Sequence, residues 1–350
     1  MPKFLFFLLT ITVTKSFCQN NVSFDKAKVQ QIDFPSKSYH GDEKIPFSEI
    51  IITDYRFDTT KIGYMRNYDF YKIVFPQTSS IYLTRVINDY LRKNLTPGAD
   101  SKLTIIIKSL WINNFIHDTS ENGGGKIRQP INQGTNDKAG SCTADFEIFA
   151  TQGPHNKALA KIKYEFPYSP YTYDKFWDMI YLPFDSMVRH IGSMNMEATL
   201  QKRKDFSRAE IDSAYKSRYE IPVLKTSFLR KGVFFTFDEF KENKPSLQDF
   251  EIRSSELTDE LYVKNKKDDE LLINYWGYCD GKDYYIHAGL NCFKLVRQNN
   301  TWDFYGTPFV TIINRLDNLT TVVGGFYLRT RGTKLQRKTL QINMETGDVY

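Results

Sequence analysis

Cys279, His287 and Cys292 are the residues whose types alone would suggest chemistry, because two thiols and an imidazole in one short stretch form a set that zinc accepts. Their spacing argues against it. Asp280-Gly281 is a type I′ turn signal between two β-favouring runs, which predicts Cys279 opposite Lys282 and Trp276 opposite Tyr285. Gly289-Leu290 closes a second hairpin, with His287 opposite Cys292 and Tyr285 opposite Lys294. In such a meander Cys279 and Cys292 sit at opposite ends of the ladder, ~17 Å apart at ~3.3 Å per residue, beyond metal or disulfide reach. The reading is isolated thiols. A Cys279–Cys292 bridge or a bridge to Cys142 are the alternatives.

The same register sorts the meander into two faces. Leu271, Ile273, Tyr275, Tyr284, Ile286, Phe293 and Leu295 form a core-like set. The other face carries Asn274, Trp276, Tyr278, Asp283, Tyr285, His287, Cys292 and Lys294, with more large amphipathic aromatics than a solvated surface requires. Either this face lies under the long connection or against the first domain, or Trp276, Tyr278 and Tyr285 form a stacking platform for a glycan, peptide or protein.

No catalytic residue is legible elsewhere. His40, His117, His155, His190 and His287 are scattered, and neither His-Glu-x-x-His nor Gly-x-Ser-x-Gly occurs. Gly123-Gly124-Gly125 precedes Lys126, but Ile127 stands where a phosphate loop needs Ser or Thr. Asp178 and Asp185 read as the solvated side of a helix. The expectation is therefore no metal, no cofactor and no contiguous active site. The alternative is a hydrolase assembled from separated residues at a domain interface, with Asp283, His287 and a distant Ser or Asp.

The elements that position these residues read as α+β: an N-terminal mixed sheet with helices packed on one face, followed by a β-rich antiparallel C-terminal domain. The first domain spans 45–196. Within it Ile50 to Tyr55, Phe70 to Phe75 and Leu103 to Ile112 are strands, and Ser79 or Ser80 caps a helix with a Leu83, Val86, Ile87, Tyr90 and Leu91 stripe. Alternation in Ala144 to Ala150 and Ala160 to Phe166 predicts a hairpin about Pro154 that sets Glu147 against Lys161 and Asp145 against Lys163. A polar hairpin extension covers Asp118 to Ser141. A closing helix carries Phe176, Trp177, Ile180, Phe184, Met187 and Ile191, with a kink at Pro183. Residues 197–230 form a charged linker, helical between Ala209 and Ser217, and 231–350 the β-rich domain, with Thr236 and Glu239 capping a short helix. Val322 to Phe326 reads as a bulge, and Glu345 to Asp348 as a turn into a terminal strand.

Lys3, the apolar run Phe4 to Val13 and the polar residues up to Cys18 have the order of a secretory signal peptide, residues 1–18, cut after Cys18. The apolar core of about ten residues falls short of the roughly 20 that span a bilayer. Loss of Lys3 and Lys15 lowers the formal charge of +6 by two, too little to call for nucleic acid. No later run reaches transmembrane length, so the expectation is an exported protein, periplasmic or envelope-associated, with an envelope protein or glycan as partner.

The strand and helix order of the first domain resembles, in topology only, small α/β domains of envelope lipoproteins that serve transport and secretion systems in Gram-negative bacteria. Lys231-Gly232-Val233-Phe234, Phe237-Asp238-Glu239-Phe240-Lys241 and Trp276 to Lys282 look like a module of uncharacterised exported bacterial proteins. The resemblance implies an envelope setting. It assigns no residue a role.

Overall fold

The computed structural model describes residues 24–67, 69–116, 138–165, 178–254, 261–288, 291–306 and 338–349. The leader, the glycine run at 123–125, Phe176, Trp177, the Gly289-Leu290 turn and the 322–326 bulge lie outside them.

One eight-stranded mixed sheet fills the N-terminal part. Its strands are β1 (Lys28–Gln31), β2 (Ile50–Asp54), β3 (Gly63–Asn67), β4 (Asp69–Val74), β5 (Lys102–Ile116), β6 (Lys138–Gln152), β7 (His155–Glu165) and β8 (Asp205–Phe206). The order is β1-β4-β3-β5-β6-β7-β8, and β2 lies parallel to the first half of β5, below β3 on the same side. β6 and β7 pair in the expected register, Glu147 opposite Lys161 and Asp145 opposite Lys163. Strand β1 comes from ahead of residue 45 and joins the sheet parallel to β4.

Helix α1 (Ser79–Tyr90) and helix α2 (Leu182–Gly192) cover one face, burying Tyr82, Leu83, Ile87, Phe184, Met187 and Val188 against Ile105, Ile107, Phe146 and Ile148. Two local expectations fail here. Pro183 sits in the first turn of α2, where its missing N–H costs no helical bond, so it starts the helix and does not kink it. Thr78 is the residue ahead of α1 and makes no capping bond. Ser79 and Ser80 turn to the sheet instead.

Ser80, Thr84 and Asn88 form a polar stripe along α1 and bond the free edge of β2. Ile50 N–H donates to Asn88 Oδ1 (2.8 Å), Ile52 N–H to Thr84 Oγ1 (3.0 Å) and Asp54 N–H to Ser80 Oγ (3.0 Å), while Asn88 Nδ2 donates back to Ile50 O (2.7 Å). The fit is geometric: four helical residues rise ~6.0 Å and two strand residues ~6.6 Å. The helix thus satisfies an edge that would otherwise invite another strand.

The charged segment 197–230 carries two helices that follow α2 and a third that leads out of it. After α3 (Met196–Gln201) and β8 comes α4 (Arg208–Ser217), opened by a capping box between Ser207 and Glu210. Ile211 and Tyr215 of α4 pack on Tyr55, Ile106 and Phe149, the opposite face of the large sheet from α1 and α2. Helix α5 (Pro222–Lys225) leads to the C-terminal part.

Among its described residues that part comprises three small antiparallel sheets and one short helix. The first contains β9 (Gly232–Phe234), helix α6 (Phe237–Lys241) follows, and β10 (Phe250–Ser254), β11 (Leu261–Asn265) and β12 (Leu271–Leu272) make the second. β13 (Gly277–Cys279), β14 (Tyr284–Ala288) and β15 (Asn291–Lys294) complete a β15-β14-β13-β9 sheet. The third holds β16 (Val296–Gln298), β17 (Thr301–Gly306) and β18 (Lys338–Gln341). Thr236 Oγ1 caps α6 by accepting from Glu239 N–H (3.2 Å), as its sequence signature predicts. Leu271 (46 % exposed) and Ile273 (66 %) fall outside the core set expected for them, because β12 pairs with β11 and not with the meander.

Candidate functional site

The richest concentration of ionisable groups lies where the large sheet meets the C-terminal strands, and the loop from β2 to β3 builds most of it. Asp54 accepts a two-pronged bond from Arg56, Nε at 2.9 Å and Nη2 at 2.7 Å, so the guanidinium is folded back against its own strand. Arg56 then donates through Nη1 to Lys61 O and through Nη2 to Ser79 Oγ, fixing both ends of the loop. Asp58 Oδ1 accepts from Thr60 N–H (2.9 Å) and Thr60 Oγ1 (2.7 Å), a side-chain turn that explains how so polar a segment can be buried.

Lys61 stands between two carboxylates. Its Nζ contacts Asp58 Oδ2 and lies 2.9 Å from Asp303 Oδ2 on β17, and all three side chains have no exposed surface. The ammonium also lies over the rings of Tyr64 (5.5 Å) and Trp111 (5.8 Å). Burial alone would raise the Asp58 carboxyl, but Lys61 and Thr60 hold it below its ordinary value. Asp303 is raised by burial, which Lys61 and Gln341 only partly offset. Asn299, in the turn from β16 to β17, donates to Asp58 Oδ1 (2.9 Å), and Phe57 enters the C-terminal core beside Tyr219.

A second polar cluster sits on the same face. Strand β5 bulges at Lys108, so that Ile105 and Ile107 before the bulge share the helix-covered face with Leu110 and Ile112 after it. Lys108 Nζ reaches Asp145 (3.8 Å), Glu147 (3.3 Å) and Glu345 (3.2 Å), and Glu345 also meets Arg218 (3.1 Å). Glu147 further accepts from Tyr215 and pairs with Lys161. Burial raises the Asp145 carboxyl, whereas Tyr215 and Lys108 overcome burial at Glu147 and lower it. A lysine occupies the centre of these three carboxylates, and among the described residues no group of His, Cys, Asp and Glu could hold a metal.

The aromatic residues singled out from sequence do not share one surface. Asp280 Oδ1 accepts from Lys282 N–H (2.7 Å) and Asp283 N–H (2.8 Å), widening the expected two-residue turn so that Cys279 pairs with Tyr284 and Tyr278 with Tyr285. Tyr278 is 1 % exposed and stacks on half-buried Tyr285 at 4.7 Å, beneath the β10-β11-β12 sheet. A bend at the start of β13 turns Trp276 to the other side, where it stacks on Phe240 of α6 at 4.3 Å, and brings Tyr275 to the Tyr278 side. His287 lies opposite Cys292 as expected, its ring stacked on Tyr275 at 4.2 Å.

Cys142, Cys279 and Cys292 are buried and form no disulfide among the described residues. Burial pushes the Cys279 and Cys292 thiols up to about 11, which keeps them protonated and unreactive near neutrality. Asp283 pairs with Lys294 at the surface (2.7 Å). The Asp54 to Lys61 loop escaped the sequence reading. Its one signal was the alternation of acid and base at Asp54, Arg56, Asp58 and Lys61 beside apolar strands.

No family model matches the chain, and no curated protein matches it. A solved structure of an uncharacterised protein is similar over 48 % of this chain and 97 % of its own, at 10 % identity and a TM-score of 0.24. The protein XCC0632 from Xanthomonas campestris, of the DUF330 family, is similar over 55 % of this chain and 99 % of its own, at 8 % identity and a TM-score of 0.26.

Proposed function

We propose that this chain is a non-catalytic protein of the cell envelope whose β-rich C-terminal part receives a partner. One observation carries the reading. Phe228 is 69 % exposed and Phe235 40 % exposed, and they flank α6, whose Phe237 and Phe240 pack with Trp276. Aromatic side chains left in water next to a rigid aromatic stack are the usual anchors of a protein interface. Trp276 therefore stays in the proposed surface, Tyr285 contributes at most an edge, and Tyr278 acts from beneath. The apolar leader supports export, and the resemblance of strand and helix order to envelope lipoprotein domains supports the compartment.

The test places a photo-crosslinking residue at exposed Lys231 or Asp238, near Phe228 and Phe235, in cells and compares the captured band with that of the same protein also carrying Phe228→Ser/Phe235→Ser. The reading requires one discrete adduct that the double variant loses while its unfolding midpoint stays unchanged. No adduct from either position overturns it.

Hydrolysis is the second reading, and the opposed shifts of Asp145 and Glu147 on one strand face favour it, since acid and base pairs arise when environments separate two carboxyls. Lys108 in contact with both is the counter-argument. Turnover of any ester or glycoside that Asp145→Asn abolishes would decide for it.

A further inference from the structure

The Asp58, Lys61 and Asp303 side chains enclose two carboxylates and one ammonium with no exposed surface. Among the described residues no second cation lies within ion-pair distance of either acid. The remaining groups that face the trio are neutral: Thr60 and Asn299 on Asp58, Gln341 on Asp303, and the Tyr64 and Trp111 rings on Lys61. The nearby Arg56 guanidinium is neutralised by Asp54. With both acids ionised, the enclosure carries one uncompensated negative charge, which burial makes costly.

The two acids differ in how well an anion is supported. Asp58 takes donors from Thr60 N–H, Thr60 Oγ1, Asn299 Nδ2 and Lys61. Asp303 takes Gln341 Nε2 on Oδ1 at 3.1 Å and, on Oδ2, only the Lys61 ammonium at 2.9 Å, which it shares with Asp58. The Asp303 carboxyl, with the fewer donors, is the group on which a proton relieves the imbalance.

We infer that the seam between the β2–β3 loop and the β17–β18 pair is a proton-linked latch. Closing it takes one proton from solvent onto the Asp303 carboxyl, leaving a neutral carboxylic acid beside a Lys61–Asp58 ion pair. The raised carboxyl of Asp303 agrees in sign. A folded value above 3.8 means that the contribution is fully present below 3.8 and is lost as pH rises through the raised value. The seam is therefore tightest in acid and loosens toward alkaline pH.

The experiment is urea unfolding of the full chain between about pH 5 and about pH 9, wild type against Asp303→Asn, which is neutral at every pH. Asp145 and Asp185 are also raised by burial and tilt the wild-type profile, so the readout is the ratio of the two unfolding constants. That ratio should climb by up to tenfold per pH unit above the Asp303 value. A ratio independent of pH overturns the inference. If Asp303→Asn does not fold, isotope-edited infrared spectra of an Asp145→Asn/Asp185→Asn protein replace it. They should show a protonated aspartic acid band that titrates away as pH rises, and an absent band overturns the inference equally.

Discussion

Replacing Thr84 by Val isolates the contribution of the α1 stripe to the sheet. The exchange keeps the shape of the side chain and its helix propensity while removing the oxygen that accepts from Ile52 N–H at 3.0 Å. Ile52 is 3 % exposed and belongs to the main core, so water cannot replace that acceptor without opening the packing. A buried donor left without a partner costs about 1–3 kcal/mol. Asn88→Leu orphans two more groups, Ile50 N–H and Ile50 O, so the double variant, with three groups unpaired, should lose about 3–9 kcal/mol, a large share of a stability of roughly 5–15 kcal/mol. Thr84→Ser keeps the hydroxyl and should lose less than about 1 kcal/mol, the transfer energy of one methyl group. Equilibrium urea unfolding followed by circular dichroism measures all three, and light scattering should report self-association of the double variant through its uncovered β2 edge. A double variant within about 0.5 kcal/mol of wild type would refute the reasoning, because the edge donors would then have other partners.

Three further outcomes follow from the seam and the sheet. Phe57→Ala empties a site in the C-terminal core and should cost about 3–5 kcal/mol; differential scanning calorimetry should show one transition shifted down, and an unshifted main transition would place Phe57 outside the shared core. Gly63→Ala should yield no soluble folded protein, since Gly63 has φ +151° and an added Cβ would lie 1.7 Å from Ile112 O across the β3–β5 pairing. A variant of wild-type midpoint would contradict that close approach. Asp58 is held below 3.8 and Glu147 below 4.5, so each contributes stability above its ordinary value that is lost as pH falls through the lowered one. Acid titration of Asp58→Asn and Glu147→Gln should each remove part of the acid limb, and an unchanged limb in both would exclude them.

Legibility in the sequence followed locality. The β6–β7 register could be read because its alternation is strict and opposite charges meet across the strands at Glu147 and Lys161. The β14–β15 pairing was equally readable. The β13–β14 turn was not, because the Asp280 carboxylate gathers two backbone donors and converts a two-residue signal into a wider loop. Alternation places Trp276 on the wrong side because it presumes an unbroken strand, and β13 begins after a bend. The α1 stripe was passed over since Ser80, Thr84 and Asn88 look like an ordinary solvated helix face until β2 is known to lie beside it. The second cover of the large sheet was hidden for a similar reason: Ile211 and Tyr215 are two apolar residues in a charged helix, enough to dock it and too few to advertise a core.

The seam residues expose a limit of another kind. Asp58 and Lys61 are three apart and could be any surface pair, and Asp303 lies in a different sheet, so burial of the trio is a property of the assembled fold alone. An apolar seam would hold the two parts together at least as well, since buried ion pairs seldom add net stability over well-packed hydrophobic groups. What the trio adds is direction. Asp58 is held by Thr60 on its own loop and by Asn299 across the seam, Asp303 by Gln341 on the neighbouring strand, and Phe57 fills a fixed site beside them. A shift of β17 by one residue would carry Trp302 or Phe304 into the place of Asp303 and leave Lys61 facing an aromatic ring, a cost that sliding leucines would not incur. Directional polar contacts at the seam thus set the alignment of the C-terminal strands on the large sheet, while the apolar clusters on either side supply the cohesion.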